Sequence, residues 1–255
     1  MQNQVIPLPA FQDNYIWCLR NATDALVVDP GDSEPVRAYL EHERLRLRAI
    51  LVTHHHADHV GGVEALAAEY SVPVFGPASE AIPGRTRALR EGDTVVIDAL
   101  GITFGVLDVP GHTAGHIAYV APGILFCGDT LFSAGCGRLF EGTPAQMMTS
   151  LAKFAALPGA TRVYCTHEYT AANIRFARTV DPDNLDLATR ERAVRAARDA
   201  GTPSLPSTIA TELDTNPFLR VERPEIAAAA ARYADRHLAT SVDAFAVLRE
   251  WKNRF

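Results

Sequence analysis

The chain has 255 residues, of which 47% are hydrophobic and 21% are charged, and its formal net charge is −6. This length and composition predict one large domain, or one domain with a smaller appendage, and exclude collagen-like and disordered chains. No apolar run approaches the roughly 18 residues of a membrane span, so we expect no membrane partner. Because an acidic chain is a poor match for a phosphate backbone, we expect no nucleic-acid partner either.

The N-terminal segment and the cysteines indicate the compartment. Residues 1–20 lack a basic stretch followed by an apolar one, so we expect no secretory signal. The 4 cysteines form no CxxC pair and are too few for a disulfide framework in a chain of this length. We therefore expect free thiols and a cytoplasmic protein.

Short β-type runs, separated by Gly, Pro, Asp and Asn, dominate the first two thirds of the chain. The runs predicted as strands are 15–20, 25–29, 49–53, 72–75, 94–97, 102–109, 116–120, 124–127 and 162–166. Helical patterns interrupt them at about 34–43, 60–70 and 144–156. Thr143 followed by Pro144 is a typical helix start.

After about residue 170 helical patterns replace the strand runs. They cover roughly 170–179, 186–200, 224–237 and 241–254. The net charge also changes, from −7 over residues 1–170 to +1 over residues 171–255. We expect an α/β catalytic domain over 1–170 and a helical domain over 171–255 that packs on it and supplies cations to an anionic ligand.

A histidine-rich segment follows the apolar strand 49–52. Residues 53–62 read THHHADHVGG, which places four candidate ligands within six positions: His54, His56, Asp58 and His59. The ends of strands are where ligand sites form in α/β proteins. Because alternate residues of an extended segment share a face, we expect His54, His56 and Asp58 to converge. His59 is then expected to open the following helix.

Three further candidate ligands each follow an apolar strand: His112, Asp129 and His167. Imidazole and carboxylate groups suit zinc, manganese and iron. Seven donors serve two ions more easily than one, because a bridging carboxylate reduces the repulsion between two dications. We expect His116 to orient a ligand or the loop, Asp29 to support a ligand or a turn, and His55 to pack or cap.

The motif H-x-H-x-D-H resembles the hallmark of the metallo-β-lactamase superfamily. Over essentially the whole chain, the sequence resembles more closely the hydroxyacylglutathione hydrolase (glyoxalase II) family, in its bacterial form. The motifs that carry this resemblance are NYIW at 14–17, GHTAGH at 111–116, GDTLF at 128–132, AGCGR at 134–138, FEGT at 140–143, THEYT at 166–170, NPFLR at 216–220 and LREWKNRF at 248–255. The resemblance implies an α/β fold, an αββα metallo-β-lactamase sandwich followed by a small all-helical C-terminal domain.

The same resemblance implies which residues bind metal and substrate. Two divalent ions, zinc with iron or manganese as alternatives, would be held by His54, His56 and His112 and by Asp58, His59 and His167, with Asp129 bridging. Glutathione would be bound by backbone near residue 140 and by Arg138, Tyr169, Arg249 and Lys252. Arg138 stands where the animal enzymes have lysine, and Phe140 stands where they have a tyrosine whose hydroxyl meets the ligand.

The resemblance also implies a reaction, the second step of methylglyoxal detoxification. We expect a monomer that hydrolyses the thioester S-D-lactoylglutathione to glutathione and D-lactate through a metal-activated hydroxide, with Asp58 and Asp129 as catalytic residues. Glutathione carries two carboxylates, so a net negative domain needs local cations to capture it. Arg249 and Lys252 share one face of the last predicted helix.

Other functions fit the motifs less well. A glutathione persulfide dioxygenase with a single iron keeps many of them but normally lacks the helical tail that carries Arg249 and Lys252. Another hydrolase of the superfamily, such as a lactonase or a β-lactamase, shares the metal motif alone, and a nuclease needs a basic surface. A metal-binding module without activity is disfavoured because seven ligands for two ions leave positions open for water.

Overall fold

In the computed structural model, which describes residues 3–255, the chain divides into two units that each combine two chain segments. The first unit comprises the residues up to Asp108 together with Gly115–Gly128. The second comprises Val109–Ala114 and Asp129–Phe255. The chain therefore passes between the units at three points, and the functional division at residue 170 stays a prediction.

The first unit contains two sheets and three α-helices. Its strands are β1 Gln4–Ala10, β2 Asn14–Arg20, β3 Asp24–Val28, β4 Arg46–Leu51, β5 Val74–Pro77, β6 Arg87–Leu89, β7 Thr94–Ile97, β8 Ile102–Asp108, β9 Ile117–Ala121 and β10 Ile124–Gly128. Its helices are α1 Glu34–Glu43, α2 Ala57–Val60 and α3 Val63–Tyr70. Strands β1 to β6 follow one another across the first sheet, antiparallel up to β3 and parallel from β3 onward. Strands β7 to β10 form antiparallel pairs in sequence order.

Alternating apolar side chains give the first sheet two buried faces. Ile16 of β2, Val36 of α1 and Leu66 of α3 belong to one buried cluster, so these helices cover one face. On β9, the hydroxyl of Tyr119 donates to the carbonyl of Val52 at 2.9 Å. This bond ties β7–β10 to the end of β4, from which the histidine-rich segment departs.

The second unit is mainly helical. Its strands are β11 Leu131–Phe132, β12 Gly135–Cys136, β13 Arg162–Cys165 and β14 Ser207–Thr208. Its helices are α4 Pro144–Ala155, α5 Thr170–Val180, α6 Leu185–Asp199, α7 Ile209–Thr215, α8 Pro224–Ala234 and α9 Ser241–Arg254. Reciprocal side-chain caps at Thr143 and Thr240 start α4 and α9. Among residues 3–255, no helix combines the length and the apolar character needed to cross a membrane.

Most predicted elements are confirmed within one or two residues, and α1 and α9 match their predicted ranges. Strand β1 was not predicted, because Pro7 and Pro9 interrupt its apolar pattern. It lies at the edge of its sheet, and within residues 3–255 it pairs with β2 alone, so its missing amide donors are tolerated.

Two other expectations were wrong. The helix predicted over 60–70 is broken into α2 and α3 at Gly61 and Gly62. A Cβ on Gly61 would lie 2.5 Å from the carbonyl oxygen of Gly31, so this close approach requires glycine. The C-terminal third is also not free of strands, since β14 pairs antiparallel with β13.

Candidate metal centre and substrate-binding groups

The first unit brings His54 and His56 together directly after β4. Nε2 of His54 lies 3.1 Å from Nδ1 of His56, and the two rings meet edge to face. His54 is fully buried and His56 is half-buried. Two ligands of one ion at 2.0–2.2 Å lie about 2.8–3.6 Å apart in octahedral to tetrahedral geometry. This pair therefore fits two positions on a single ion.

Asp58 and His59 form a second pair in the same unit. Oδ2 of Asp58 lies 3.6 Å from Nε2 of His59, which again suits two ligands of one ion. The expectation that Asp58 continues the extended segment was wrong, because α2 begins at Ala57 and contains both residues. A helical turn aims neighbouring side chains away from the strand direction, so the segment presents two pairs instead of one row.

Asp29 orients this segment from the turn after β3. Its carboxylate accepts from the backbone N–H and the hydroxyl of Thr53, both at 2.7 Å, and lies 3.1 Å from Nδ1 of His59. A carboxylate on one imidazole nitrogen fixes the ring and leaves the other nitrogen for metal. The supporting position predicted for Asp29 is confirmed. Asn14, whose amide donates to Oδ2 of Asp58 at 3.0 Å, was not predicted as a site residue, although it begins the NYIW motif.

Two further histidines of the first unit, His55 and His116, lie beside the donors. His116 is buried, and its ring stacks on that of His54 with centroids 4.6 Å apart, which is the orienting position predicted for it. Nδ1 of His55 lies 2.9 Å from Oε2 of Glu80. Glu80, which also accepts from the N–H of Gly115 at 3.1 Å, was missed by the sequence reasoning because no motif marks it.

The second unit places one carboxylate oxygen between two imidazoles. Oδ2 of Asp129 lies 3.5 Å from Nε2 of His112 and 3.4 Å from Nε2 of His167. Nδ1 of His112 donates a hydrogen bond to the backbone carbonyl of Arg138 at 2.9 Å. Its Nε2 is therefore the ring nitrogen with a lone pair available for a metal ion. A carboxylate oxygen placed between two imidazoles in this way fits a ligand that bridges two ions.

The residues present therefore fit divalent metal ions. Five imidazoles and two carboxylates make a donor set suited to zinc, iron or manganese. Gly128 adds a local constraint, because its φ is +49° and a Cβ there would lie 2.4 Å from Oγ1 of Thr53. Only glycine fits directly before Asp129.

Two of the expected substrate groups lie beside metal donors. The ring of Tyr169 stacks on that of His167, with centroids 4.7 Å apart and planes 2° from parallel. Phe140 is exposed, and its ring meets that of His112 edge to face at 5.3 Å. The N–H of Phe140 already donates to the carbonyl of His112 at 3.2 Å, so this amide is occupied within the chain.

Arg249 and Lys252 of α9 differ in environment. Arg249 is buried, and its Nη1 donates to the carbonyl of Cys136 at 2.6 Å. Lys252 is half-buried, with its Nζ 5.5 Å from the centre of the Phe176 ring. Burial and the positive charges of its neighbours lower the pKa of Lys252 to about 8. Those neighbours are Arg249, Arg175 and Arg138.

The second unit thus gathers a group of cations that includes one the sequence reasoning missed. Arg175 lies on α5, exposed, one turn after Ala172, whose carbonyl accepts from Nζ of Lys252 at 3.4 Å. No predicted motif contains Arg175. Its spacing of six residues from Tyr169, which precedes α5, does not place the two on one helix face, so no sequence signal marks it.

Comparison with known proteins agrees with this geometry. The Metallo-beta-lactamase superfamily model matches residues 11–167, and the model for the Hydroxyacylglutathione hydrolase C-terminus matches residues 168–255. A hydroxyacylglutathione hydrolase of Alkalilimnicola ehrlichii is 57% identical over 253 residues, covering 98% of this chain and 99% of the relative. One of Nitrosomonas eutropha is 53% identical, covering 98% of each chain. Among solved structures, ETHE1 from Myxococcus xanthus is 26% identical in sequence and superposes with a TM-score of 0.66. The match covers 89% of this chain and 88% of that one.

The fold and the histidine–carboxylate donor set define a metallo-β-lactamase superfamily protein with an added helical C-terminal domain, and the predicted fold class is confirmed. Within that superfamily, the chain belongs to the hydroxyacylglutathione hydrolase family. The predicted enzyme class, a thioester hydrolase, is confirmed with it.

Proposed function

We propose that this chain hydrolyses S-D-lactoylglutathione to glutathione and D-lactate, as the second step of methylglyoxal detoxification. The observation that carries the proposal is that one compact unit holds both a carboxylate oxygen shared by two imidazoles and a group of cations. The first fits a pair of metal ions, and the second fits the two carboxylates of glutathione. Family membership supports the same substrate.

We propose that the metal donors form two sets that share Asp129. His54, His56 and His112 hold the first ion, Asp58, His59 and His167 hold the second, and zinc is the metal proposed for both. When bound, two such ions lower the pKa of a water toward about 7 and polarise the carbonyl that it attacks. Asp29 holds the ring of His59, and the carbonyl of Arg138 holds that of His112.

Asp58 and Asp129 are the catalytic residues proposed here. Asn14 holds Oδ2 of Asp58 at 3.0 Å, which keeps this half-exposed carboxylate oriented. We propose that Asp58 orients the attacking water. The leaving group is the thiolate of glutathione. Because a free thiol has a pKa near 8.5, this thiolate leaves without a strong general acid. Carboxylates committed to metal are therefore sufficient for this reaction.

Substrate capture is proposed for Arg138, Tyr169, Arg249 and Lys252. Arg138 is exposed and free to reach a carboxylate as a fork, and Tyr169 presents an exposed edge beside His167. Arg249 contributes differently from the expectation, since one arm of its guanidinium is bonded to Cys136.

We also propose that the chain acts as a monomer, and that residues 1–170 perform the chemistry while 171–255 bind glutathione. A cytoplasmic location is proposed from the four cysteines, which are all buried as free thiols.

One comparison of activities tests the function. The purified protein, loaded with zinc in one sample and with ferrous iron in another, is assayed for D-lactate and free thiol from S-D-lactoylglutathione, in parallel with oxygen uptake on glutathione persulfide. We expect one thiol for each D-lactate and no oxygen uptake. Asp129→Asn serves as the inactive control. Oxygen uptake without thioester hydrolysis would replace the proposal with the dioxygenase alternative.

A further inference from the structure

The segment between the metal donor Asp129 and the cation Arg138 is a short hairpin, residues 131–138, which we call the 131–138 loop. Its strands β11 and β12 have two residues each and pair only at Leu131–Cys136 and Phe132–Gly135. Ala134 at its tip has a φ of 56°, a conformation that L residues rarely adopt. So short a ladder cannot by itself hold this turn.

Buried side chains from distant segments hold the loop instead. The N–H of Ala134 donates to Oε2 of Glu212 at 2.7 Å. The amide of Asn216 donates to the carbonyls of Phe132 at 3.1 Å and Gly135 at 2.9 Å. Two more bonds come from Asn173 to Ser133, at 3.0 Å, and from Arg249 to Cys136, at 2.6 Å. Side chains therefore hold the backbone carbonyls of Phe132, Ser133, Gly135 and Cys136 and the amide of Ala134.

Glu212 is the centre of these contacts. It is fully buried on α7, and besides Ala134 it accepts from the hydroxyl of Ser207 and from the amide of Asn216 at 3.0 Å. Burial raises the pKa of its carboxyl. A buried carboxyl is unfavourable unless its lone pairs are met by donors, and packing alone would be served better by an apolar side chain. The Glu212 carboxylate accepts a hydrogen bond from the amide of Ala134, whose φ is positive. This contact indicates that Glu212 holds the conformation of the loop.

Both ends of the loop carry groups of the proposed reaction. Asp129, two residues before it, shares its oxygen between His112 and His167. Arg138 at its end supplies a cation for glutathione, and its carbonyl accepts from Nδ1 of His112. A shift of the loop therefore moves a metal donor, the ring of a second donor and a substrate-binding cation together.

We propose that Glu212 is a positioning residue: through the 131–138 loop, it holds Asp129 for metal binding and Arg138 for glutathione binding at the same time. This inference rests on the proposed function for the identity of the ligand, glutathione. In this proposal Glu212 acts through the loop and not by binding an ion or the substrate.

The test compares Glu212→Gln and Glu212→Ala with the wild-type protein in two binding measurements. The first is zinc affinity, by competition with a chromophoric chelator. The second is the Kd of glutathione for the zinc-saturated protein, by calorimetry. We expect zinc affinity to fall by roughly tenfold to a hundredfold in Glu212→Ala, as for groups that orient metal ligands. We expect the Kd of glutathione to rise by about tenfold in the same variant, and both effects to be smaller in Glu212→Gln, which keeps one acceptor oxygen.

Stability is controlled with a variant that loses core packing elsewhere. Val36→Ala removes buried methyl groups from α1 of the first unit and touches no loop residue. All variants are measured at equal distances below their own Tm. The KM for S-D-lactoylglutathione should rise in the Glu212 variants, whereas the KM for a small neutral thioester should stay unchanged at saturating zinc.

Each outcome decides the inference. If the Glu212 variants match Val36→Ala in both zinc affinity and glutathione binding, Glu212 only stabilises the fold. A change in one measurement without the other overturns the proposal as well, because the two ends of the loop would not depend on the same residue. If the wild type binds zinc but neither binds glutathione nor hydrolyses its thioester, the proposed function fails, and zinc affinity still decides whether Glu212 acts on Asp129.

Discussion

The two units assemble their proposed metal donors in opposite ways. The first takes four donors from one local segment at positions 54–59, where a strand end runs into a helix. The second takes His112, Asp129 and His167 from three separate segments, and it holds the ring of His112 and the 131–138 loop with contacts from residues far along the chain. In the first unit, local chain geometry brings the donors together and Asp29 and Asn14 orient two of them, whereas in the second unit tertiary packing brings the donors together. Loss of a remote contact should therefore change the orientation of a donor in the first unit and the position of a donor in the second.

The largest effect is expected at Asp129, the donor proposed to be shared by the two ions. Asp129→Ala removes an oxygen close to two imidazoles, so metal content should fall from about two equivalents per chain toward none. The loss of metal catalysis, worth several kcal/mol, should lower kcat/KM by on the order of 10³-fold. Elemental analysis and initial rates measure both. His55→Ala is the control, because the ring of His55 pairs with Glu80. One tightly bound iron in the wild type would contradict the two-ion assignment.

A smaller effect is expected where the first unit supports its own donors. Asp29→Asn weakens the carboxylate contact that orients His59, so affinity for one of two zinc ions should fall by roughly tenfold to a hundredfold. Chelator competition separates the two ions. Asp24→Asn is a matched control, because Asp24 is an equally buried carboxylate at the other end of β3 that pairs with Arg46 and Arg48. Equal losses in the two variants would mean that Asp29 acts on stability alone.

At α9 the structure separates two neighbouring cations. Lys252→Ala should raise KM for the glutathione thioester by about tenfold, roughly 1.4 kcal/mol, with kcat nearly unchanged. Arg249→Ala removes a cation and also the bond to Cys136, so kcat should fall as well. Steady-state kinetics with glutathione and small neutral thioesters distinguish these effects. Arg254→Ala, an exposed cation of the same helix, should match the wild type.

The pKa of Lys252, about 8, predicts a pH dependence. Lys252 is protonated below this pH, so KM for the glutathione thioester should rise as pH increases through about 8, by no more than the Lys252→Ala effect. Lys252→Arg should abolish the rise, since arginine stays charged. The stability effect has the opposite sign. Between pH 8 and 10.5 the unfolded chain binds more protons at this lysine, so its contribution to stability increases with pH. A KM that stays constant across this range would remove Lys252 from substrate binding.

The smallest differences are expected among the thiols. Burial raises the pKa of Cys18 to about 12 and raises that of Cys136, whose Sγ lies 3.7 Å from Nη1 of Arg249. A positive charge opposes the shift at both thiols, Arg20 at Cys18 and Arg249 at Cys136, but only Arg249 also donates to the sulfur. Cys136 should therefore react with a thiol reagent faster than Cys18, although both react slowly in the native protein. Mass spectrometry of alkylated peptides measures the order. The difference in rate between Cys136 and Cys18 should vanish after unfolding. Equal rates in the native protein would contradict a role for Arg249 in the reactivity of Cys136.

Much of the fold and part of the site could be predicted from the sequence. The helix at 34–43, the capped start at Thr143 and the donors after β4 follow from local spacing, because side chains a few residues apart are placed by the backbone they share. The prediction was wrong for Asp58, where α2 starts two residues earlier than expected. It missed β1, whose prolines are acceptable only at a sheet edge.

By itself the sequence determined the residue types, the family motifs and the local segment His54–His59. Only the tertiary structure decided that one oxygen of Asp129 lies between two imidazoles, that Arg249 bonds to Cys136, and that Glu212 meets the amide of Ala134. These contacts join groups up to 113 positions apart. Their geometry depends on strand register and helix packing, which no local spacing records, because the energy of a buried polar contact is set by the partners that folding brings to it.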